Sequence, residues 1–445
     1  MSAEITYKKK DIWKIAYPIM ICLLMEQLIG MTDTAFMGRV GEVELGASAI
    51  GSVFYMMIFM MGFGFSIGSQ IIIARRNGEG NYGEIGNVFF QGMYIIIAIA
   101  LAMLGLSLLF SGRLLDIAVS SPEVASAAKD YIKYRVFGLI FSFAAAMFRA
   151  FFVGTTQTKT LTLNSIVMVL SNVLFNWILV FGKLGLPAMG ISGAAIGSVL
   201  AEAVSLAFFI IYTKYRINCR KYGLDTVYKP SAAMQGNILK ISFWTMIQNF
   251  ISFSTWFAFI IFVEHLGEHP LAITNIVRNI ASIVFMIITA FSSTCSSVTS
   301  NLIGAARQEE VMPTIKRIIG MAYMFAIPLA ILFSAFPQTF ARIYTNIPSL
   351  YEAVAPSVWV FCTSLLFTVP GNILFQSVSG TGNTRKAFAL EIGTLAVYLA
   401  YSAFVTLQLH LDVSLCWTTE HVYYLLIGIL SYSYIRKGKW AGKRV

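Results

Sequence analysis

The chain is predicted to be an all-α membrane protein: twelve transmembrane helices in two parallel, pseudo-symmetric six-helix bundles around a central cavity. Three observations predict this. Hydrophobic residues make up 57% of the sequence and charged residues only 12%, with a mean hydropathy of +0.74. A soluble domain averages roughly 25% charged residues, so this chain cannot clothe a water-facing surface. Apolar runs of about 20 residues, the length that spans a bilayer, can be read twelve times. Finally, the sequence echoes itself at a constant spacing of 226 residues, the separation of Lys14-Ile15 from Lys240-Ile241.

The runs fall, in order, at 13–38, 46–74, 87–110, 131–152, 160–181 and 190–212, then at 241–263, 272–301, 318–337, 352–376, 387–408 and 415–435. Gly, Pro or charge separates each from the next. The first contains Pro18, which removes a backbone hydrogen bond and permits a helix bend. The basic segment 213–240 divides the set into six and six. This gives an N-terminal lobe over 1–212, a linker over 213–240 and a C-terminal lobe over 241–445. An even number of spans per half gives both halves the same orientation. The echo extends over the two lobes: Gly41-Glu42 recurs as Gly267-Glu268, Phe65-Ser66 as Phe291-Ser292, and Gly154-Thr155 as Gly380-Thr381. A fixed offset over that length marks a duplicated unit.

Charge sets the expected topology. The loops on one side, with both termini and the linker, hold 22 Lys and Arg, among them Arg75, Arg76, Lys214, Arg220, Lys221, Lys439, Lys443 and Arg444. The opposite loops hold five: Arg39, Arg113, Lys129, Lys183 and Arg342. Positive charge accumulates on the cytoplasmic side. Both termini are therefore expected in the cytoplasm, in a multi-pass protein of the plasma (cytoplasmic) membrane. The net charge of +11 then reflects topology, not a nucleic-acid partner. The five cysteines show no CxxC pairing and read as small packing residues. There is no GxxxxGK[ST] loop, no HExxH, and no Cys/His cluster at metal spacing. Neither an enzyme nor a protein driven directly by ATP is indicated, and no cofactor is expected.

The ionisable residues break the symmetry. Glu26 and Asp33 lie seven residues apart, on one helix face; the second copy has Ser252 and Phe259 there. A carboxylate turned to lipid is costly, so both should face a bundle interior or a wet cavity. There they can exchange protons or, when ionised, bind Na⁺ through oxygen; Glu26 can alternatively pair with Arg149 or Arg278. Asn172 and Asn176, at i and i+4, present two amides on one face, able to coordinate a cation or hydrogen-bond an acid. Gln248, Asn249 and Arg278 form a candidate polar site in the C-terminal lobe. Arg278, Glu391, Glu420, Glu202 and Arg149 are expected to form structural ion pairs or gates. Two similar halves with membrane acid concentrated in one is the layout of a secondary transporter.

The order of motifs adds to this. Pro18 is followed by Asp33-Thr34-Ala35-Phe36-Met37-Gly38. The matching loops are Gly154-Thr155-Thr156-Gln157-Thr158-Lys159 and Gly380-Thr381-Gly382-Asn383-Thr384-Arg385. Span six begins Gly190-Ile191-Ser192-Gly193-Ala194-Ala195-Ile196-Gly197-Ser198. In these features nearly the whole chain resembles the multidrug and toxic compound extrusion (MATE) transporters. The resemblance implies an antiporter that exports small organic, often cationic or amphipathic compounds in exchange for H⁺ or Na⁺ by alternating access. It assigns the coupling ion to Asp33, with Asn172 beside it, Asn176 where one branch has an aspartate, and Ser198 where that branch has a hydroxyl. Any bound metal ion would be Na⁺ at Asp33. The acid that a second branch carries in span seven is missing from Gln248-Asn249-Phe250-Ile251-Ser252, which favours coupling in the N-terminal half. Glu26 matches no family position; it is a candidate for the missing carboxylate. The alternative within this fold is a flippase for a lipid-linked saccharide or cell-wall precursor. Small organic substrates and membrane lipids are the expected partners, and the chain is expected to act as a monomer.

Overall fold

A computed structural model of the chain describes residues 7–440, apart from Ser120, Asn346 and Lys439. Lys439, Lys443 and Arg444 of the basic set lie outside the described residues. Among the described residues the protein is helical throughout and has no strand. Among the described residues eleven helical segments are long and apolar enough to cross a membrane, and one bent pair of helices, taken as one span, makes a twelfth.

The first seven helices are α1 (Lys9–Met37), α2 (Glu42–Gly78), α3 (Glu84–Ala118), α4 (Pro122–Arg135), α5 (Gly138–Gly154), α6 (Lys159–Phe181) and α7 (Gly190–Arg216). The predicted span at 131–152 is the bent pair, α4 and α5 meeting at 51°. Its start lies earlier than the apolar run because Ser121 caps α4, accepting from the Val124 N–H, with Pro122 in the first turn. α1 runs through Pro18 without a break, and the Thr162 hydroxyl on α6 donates to the Pro18 carbonyl at 3.3 Å. α6 ends on Gly182, whose φ of 67° is the left-handed conformation that glycine adopts freely.

Helix α8 (Ala232–Glu264) opens the second half, followed by α9 (Glu268–Gly304), α10 (Val311–Ala335), the short α11 (Pro337–Tyr344), α12 (Pro348–Gly380), α13 (Thr384–Ala403), α14 (Val413–Cys416) and α15 (Thr419–Arg436). A π-helical turn over Phe404–Gln408 extends α13. α11 has no counterpart among the predicted spans; eight residues are too few to cross a bilayer. Helix reaches to Arg216 and resumes at Ala232, so the non-helical connection is shorter than the 213–240 read from charge.

The contacts divide the chain into two compact units, cut inside α1 and α8 and not at the connection. One is Tyr17–Met246; the other is Ile247–Val445 with Met1–Ala16. In the first unit the opening turns of α8 lie on α2, where Thr245 Oγ1 donates to the Gly64 carbonyl at 2.7 Å. This approach requires glycine: a Cβ at Gly68 would lie 2.3 Å from Ser242 Oγ and 2.5 Å from its Cα. The core of that unit is aromatic, with Phe65, Phe143, Phe151 and Phe152 fully buried. In the second unit Trp13, from the start of α1, stacks on Phe325 of α10 at 5.1 Å. Phe259, Phe291, Phe333 and Phe361 fill its interior. Large apolar side chains such as Leu109, Ile117, Met324 and Ile331 are exposed, as lipid-facing residues are. All five cysteines are free.

Candidate functional site

The Tyr17–Met246 unit contains a cavity of about 300 Å³ walled by α1, α2, α4, α5, α6 and α7. Met56, Phe59, Phe63 and Met168 give it an apolar, polarisable lining. Its charged wall residues are Glu26, Asp33, Arg135, Arg149 and Glu202.

Asp33 stands near the end of α1, turned toward α6 and α7. Its Oδ1 accepts from the Asn176 amide at 2.6 Å, and its Oδ2 accepts a long hydrogen bond from the Ser198 hydroxyl at 3.4 Å. Asn172 Nδ2 donates to Ser198 Oγ at 3.2 Å, and Asn176 Nδ2 also reaches Asn172 Oδ1 at 3.3 Å. The i, i+4 spacing on α6 stacks the two amides on one face, and the start of α7 brings Ser198 alongside. Asn172, Asn176 and Ser198 are buried, and Asn176 Oδ1 has no hydrogen-bond partner. The arrangement is thus one carboxyl group, two amides and one hydroxyl. Among the described residues no Lys, Arg or His forms an ion pair with Asp33. Such a set can hold a proton on the acid, or offer carboxylate and amide oxygens to a small cation.

Glu26 lines the same cavity but is not joined to Asp33 by a hydrogen bond. Its Oε1 takes a 3.0 Å ion pair from Arg149 on α5, whose guanidinium lies over the Phe63 ring at 5.4 Å. Two helical turns separate the acids along α1, and Arg149 fills the space beside Glu26.

A third cluster was not anticipated as a unit. Arg135, at the α4–α5 bend, makes a two-pronged pair with Glu202 of α7: Nη1 to Oε2 at 2.9 Å and Nη2 to Oε1 at 2.7 Å. The Tyr55 hydroxyl donates to both Glu202 oxygens at 3.0 and 3.1 Å, and the Arg135 guanidinium sits 3.6 Å from the Tyr55 ring centre. Gly138 leaves room for this knot; a Cβ there would fall 2.1 Å from Glu202 Oε2. Glu202 is ion-paired, as expected, but with Arg135 and not Arg149. Arg135 carried a usable signal, an arginine inside the apolar run 131–152; its partner could not be read from one dimension. Tyr55 carried none, since tyrosine is common throughout the chain.

Of the expected polar site of the C-terminal lobe, Arg278 lies against an aromatic ring and Gln248 is buried. The Arg278 guanidinium lies 5.8 Å from the Trp256 ring centre, and no acid pairs with it among the described residues. Gln248 is buried with its Oε1 unpartnered, and Asn249 is half-buried beside it. Glu391 and Glu420 also depart from expectation: neither forms an ion pair among the described residues. Glu391 accepts from Ser252 and Tyr423, and Glu420 from Tyr398. Hydroxyls of the surrounding helices, not arginines, reach these two acids.

Comparison with known proteins agrees with this architecture. The MatE family model matches residues 18–178 and 245–403, one match in each half. "Probable multidrug resistance protein NorM" of Thermotoga maritima is 25% identical over 99% of this chain and 95% of its own length. The protein of the same description from Agrobacterium fabrum is 28% identical over 82% of this chain and 77% of its own. Among solved structures, an outward-facing multidrug resistance MATE family transporter of the MOP superfamily superposes with a TM-score of 0.88 at 17% identity, covering 96% of this chain and 95% of the other. A eukaryotic MATE transporter superposes with a TM-score of 0.84 at 16% identity, covering 97% and 96%. These likenesses show the twelve-helix, two-lobe fold, and the family match extends over most of both halves. The chain belongs to the MatE family of membrane transporters.

Proposed function

We propose that this protein is a secondary active exporter of small organic compounds, amphipathic and cationic, driven by exchange for H⁺ or Na⁺ bound at Asp33. One observation carries the reading. In the wall of the 300 Å³ cavity the four other charged side chains are paired off, Arg135 with Glu202 and Arg149 with Glu26, while Asp33 is held only by neutral donors. The cavity therefore carries one uncompensated negative charge when Asp33 is ionised and none when Asp33 is protonated or neutralised by a bound cation. An ion that binds one of these states better shifts the balance between conformations. Asn172, Asn176 and Ser198 orient the acid; Glu26 belongs to the cavity wall as the partner of Arg149. The names of the relatives, multidrug resistance proteins, support export of organic compounds.

The flippase alternative is disfavoured by the same charges. A pyrophosphate head group calls for a surplus of Arg and Lys, whereas this cavity has three acids against two arginines. The test is export of a cationic fluorescent dye by the purified protein in proteoliposomes, under an imposed proton gradient or an imposed Na⁺ gradient. Asp33→Asn should abolish uphill transport while leaving abundance and melting temperature near those of the parent. Near-normal uphill transport by that variant would overturn the proposal, and the gradient that alone supports wild-type export identifies the ion.

A further inference from the structure

We propose that a groove on the bilayer-facing side of the Tyr17–Met246 unit is a binding site for a phospholipid whose headgroup carries both a phosphate and a primary ammonium, phosphatidylethanolamine. The groove has a volume of about 620 Å³ and lies between α3, α5 and α7. Met93 and Ile97 of α3, Ala144 and Phe148 of α5, and Leu206 and Ile210 of α7 form its apolar walls. It is separate from the cavity that holds Asp33. Ala145 and Arg149 of α5 and Ser205 of α7 line that cavity, whereas Ala144, Phe148 and Leu206 line the groove, so α5 and α7 form the partition. Ile210 is 50% exposed at the groove's edge and Ile211 beside it 57%, as residues that meet lipid tails are.

The polar groups gather at one end. Thr213 and Lys214 continue the α7 stripe from Leu206 and Ile210, at the spacing that keeps residues on one helix face. From Leu206 to Lys214 that stripe covers about 12 Å, most of the roughly 15 Å depth of one hydrocarbon leaflet. Thr213 is 8% exposed, and its hydroxyl has no hydrogen-bond partner. Asp225 comes from the connection between α7 and α8, which lies over the groove's end with Cys219 and Leu224. That connection is pinned in place. The Leu224 N–H donates to the Cys219 carbonyl at 2.8 Å, Cys219 Sγ donates to the Thr213 carbonyl at 3.4 Å, and the buried Tyr222 hydroxyl accepts from Gln157 Nε2 at 2.7 Å. Gly86 of α3 lets the connection approach, since a Cβ there would lie 2.1 Å from the Gly223 carbonyl oxygen. Among the described residues neither Lys214 nor Asp225 forms an ion pair; the Lys214 ammonium lies 5.7 Å from the Tyr215 ring centre.

Lipid tails are as apolar as leucine, so a tail in this groove gains packing and no hydrophobic driving force. The headgroup contacts therefore decide which lipid stays. One cation and one acid stand at the mouth, neither of them compensated by an ion pair. A phosphate meets Lys214 through charge-assisted hydrogen bonds. A primary ammonium has N–H groups to give the Asp225 carboxylate. The Thr213 hydroxyl, next to Lys214 on the side of the apolar stripe, donates to an ester oxygen at the head of the tail. An anionic headgroup without an ammonium leaves Asp225 facing like charge. A choline headgroup carries the positive charge, but its nitrogen has no N–H to donate. The other nearby basic residue with a fixed place, Lys221, lies over the Tyr82 ring at 4.1 Å and does not line the groove.

The experiment is native mass spectrometry of the full-length protein, titrated in detergent with dioleoyl phosphatidylethanolamine, phosphatidylglycerol or phosphatidylcholine. The first phosphatidylethanolamine should bind the wild type more tightly than either other lipid. Lys214→Gln should weaken phosphatidylethanolamine and phosphatidylglycerol about fivefold, the worth of one interfacial charge contact. Asp225→Asn should weaken phosphatidylethanolamine by about as much and leave phosphatidylglycerol no weaker, which erases the preference. Both side chains are exposed, so these changes leave the fold intact. Lys221→Gln is the control for diffuse basic charge and should leave phosphatidylethanolamine binding unchanged. Phosphatidylglycerol bound by the wild type as tightly as phosphatidylethanolamine, or more so, would overturn the proposal by making the groove a site for anionic lipid. Equal binding of phosphatidylcholine, an unchanged preference in Asp225→Asn, or as large a loss in Lys221→Gln as in Lys214→Gln would overturn it as well.

Discussion

Replacing Arg135 by methionine isolates the buried knot beside the cavity. Methionine preserves most of the apolar stem and deletes the charge. The Arg135 and Glu202 side chains are 12% and 7% exposed, and both guanidinium prongs are within 2.9 Å of carboxylate oxygens. Removing one partner of such a pair strands the other charge, at about 3–5 kcal/mol. The guanidinium's place over the Tyr55 ring contributes about 1–2 kcal/mol of its own. For a unit of this size each kcal/mol shifts melting by about 2–4 °C, so Arg135→Met should melt roughly 10–25 °C lower. The double variant with Glu202→Met carries no stranded charge and should recover to within about 1–2 kcal/mol of the parent. The coupling energy from the cycle should then exceed the range of about 0.5–3 kcal/mol usual for residues in contact. Lowering the pH should rescue the single variant, since a protonated Glu202 needs no counter-charge. Fluorescence-monitored thermal unfolding in detergent, run on all four proteins across pH, measures this. A double variant as unstable as Arg135→Met would refute the reasoning, because the loss would then come from packing and not from the ion pair.

Three further outcomes follow from the same geometry. Glu26→Gln breaks a pair whose acid is 48% exposed, so stability should fall by no more than about 1 kcal/mol and the pH profile of dye export should be unchanged; a displaced profile would return Glu26 to the ion site. Gly68→Ala should destabilise by about 1–3 kcal/mol, and Ser242→Gly should not restore it, because the Ser242 Cα is itself 2.5 Å from the new methyl group; full rescue in a melting assay would contradict that account. A single cysteine at Thr226, an exposed position in the connection between α7 and α8, in a background lacking the native five, should resist an impermeant thiol reagent in intact cells and label after permeabilisation; ready labelling in intact cells would reverse the topology.

The sequence by itself determined the fold class, the number of spans and the internal repeat. Each follows from local composition: a run of about 20 apolar residues has few alternatives in a bilayer, and a constant offset survives in the chain order. It also placed Asp33, Asn172, Asn176 and Ser198 as candidates, and tertiary structure brought those four within hydrogen-bonding reach across α1, α6 and α7. What one dimension could not decide was partnership. Glu202 met Arg135 across 67 residues and Glu26 met Arg149 across 123, choices set by which helix faces oppose each other. Span four begins early because Ser121-Pro122 starts a helix there, and where α4 meets α5 Gly138 leaves room for the Glu202 carboxylate. The unit boundaries fell inside α1 and α8 for the same kind of reason, since contact at Gly64 and Gly68 depends on two missing side chains far from Ser242 in sequence. Glu391 and Glu420 looked like ion-pair partners as residues in a string; packing gives them hydroxyl partners and, among the described residues, no ion pair. Hydrophobicity is a local property and can be read from the chain, whereas the compensation of a buried charge is a property of neighbours that folding alone brings together.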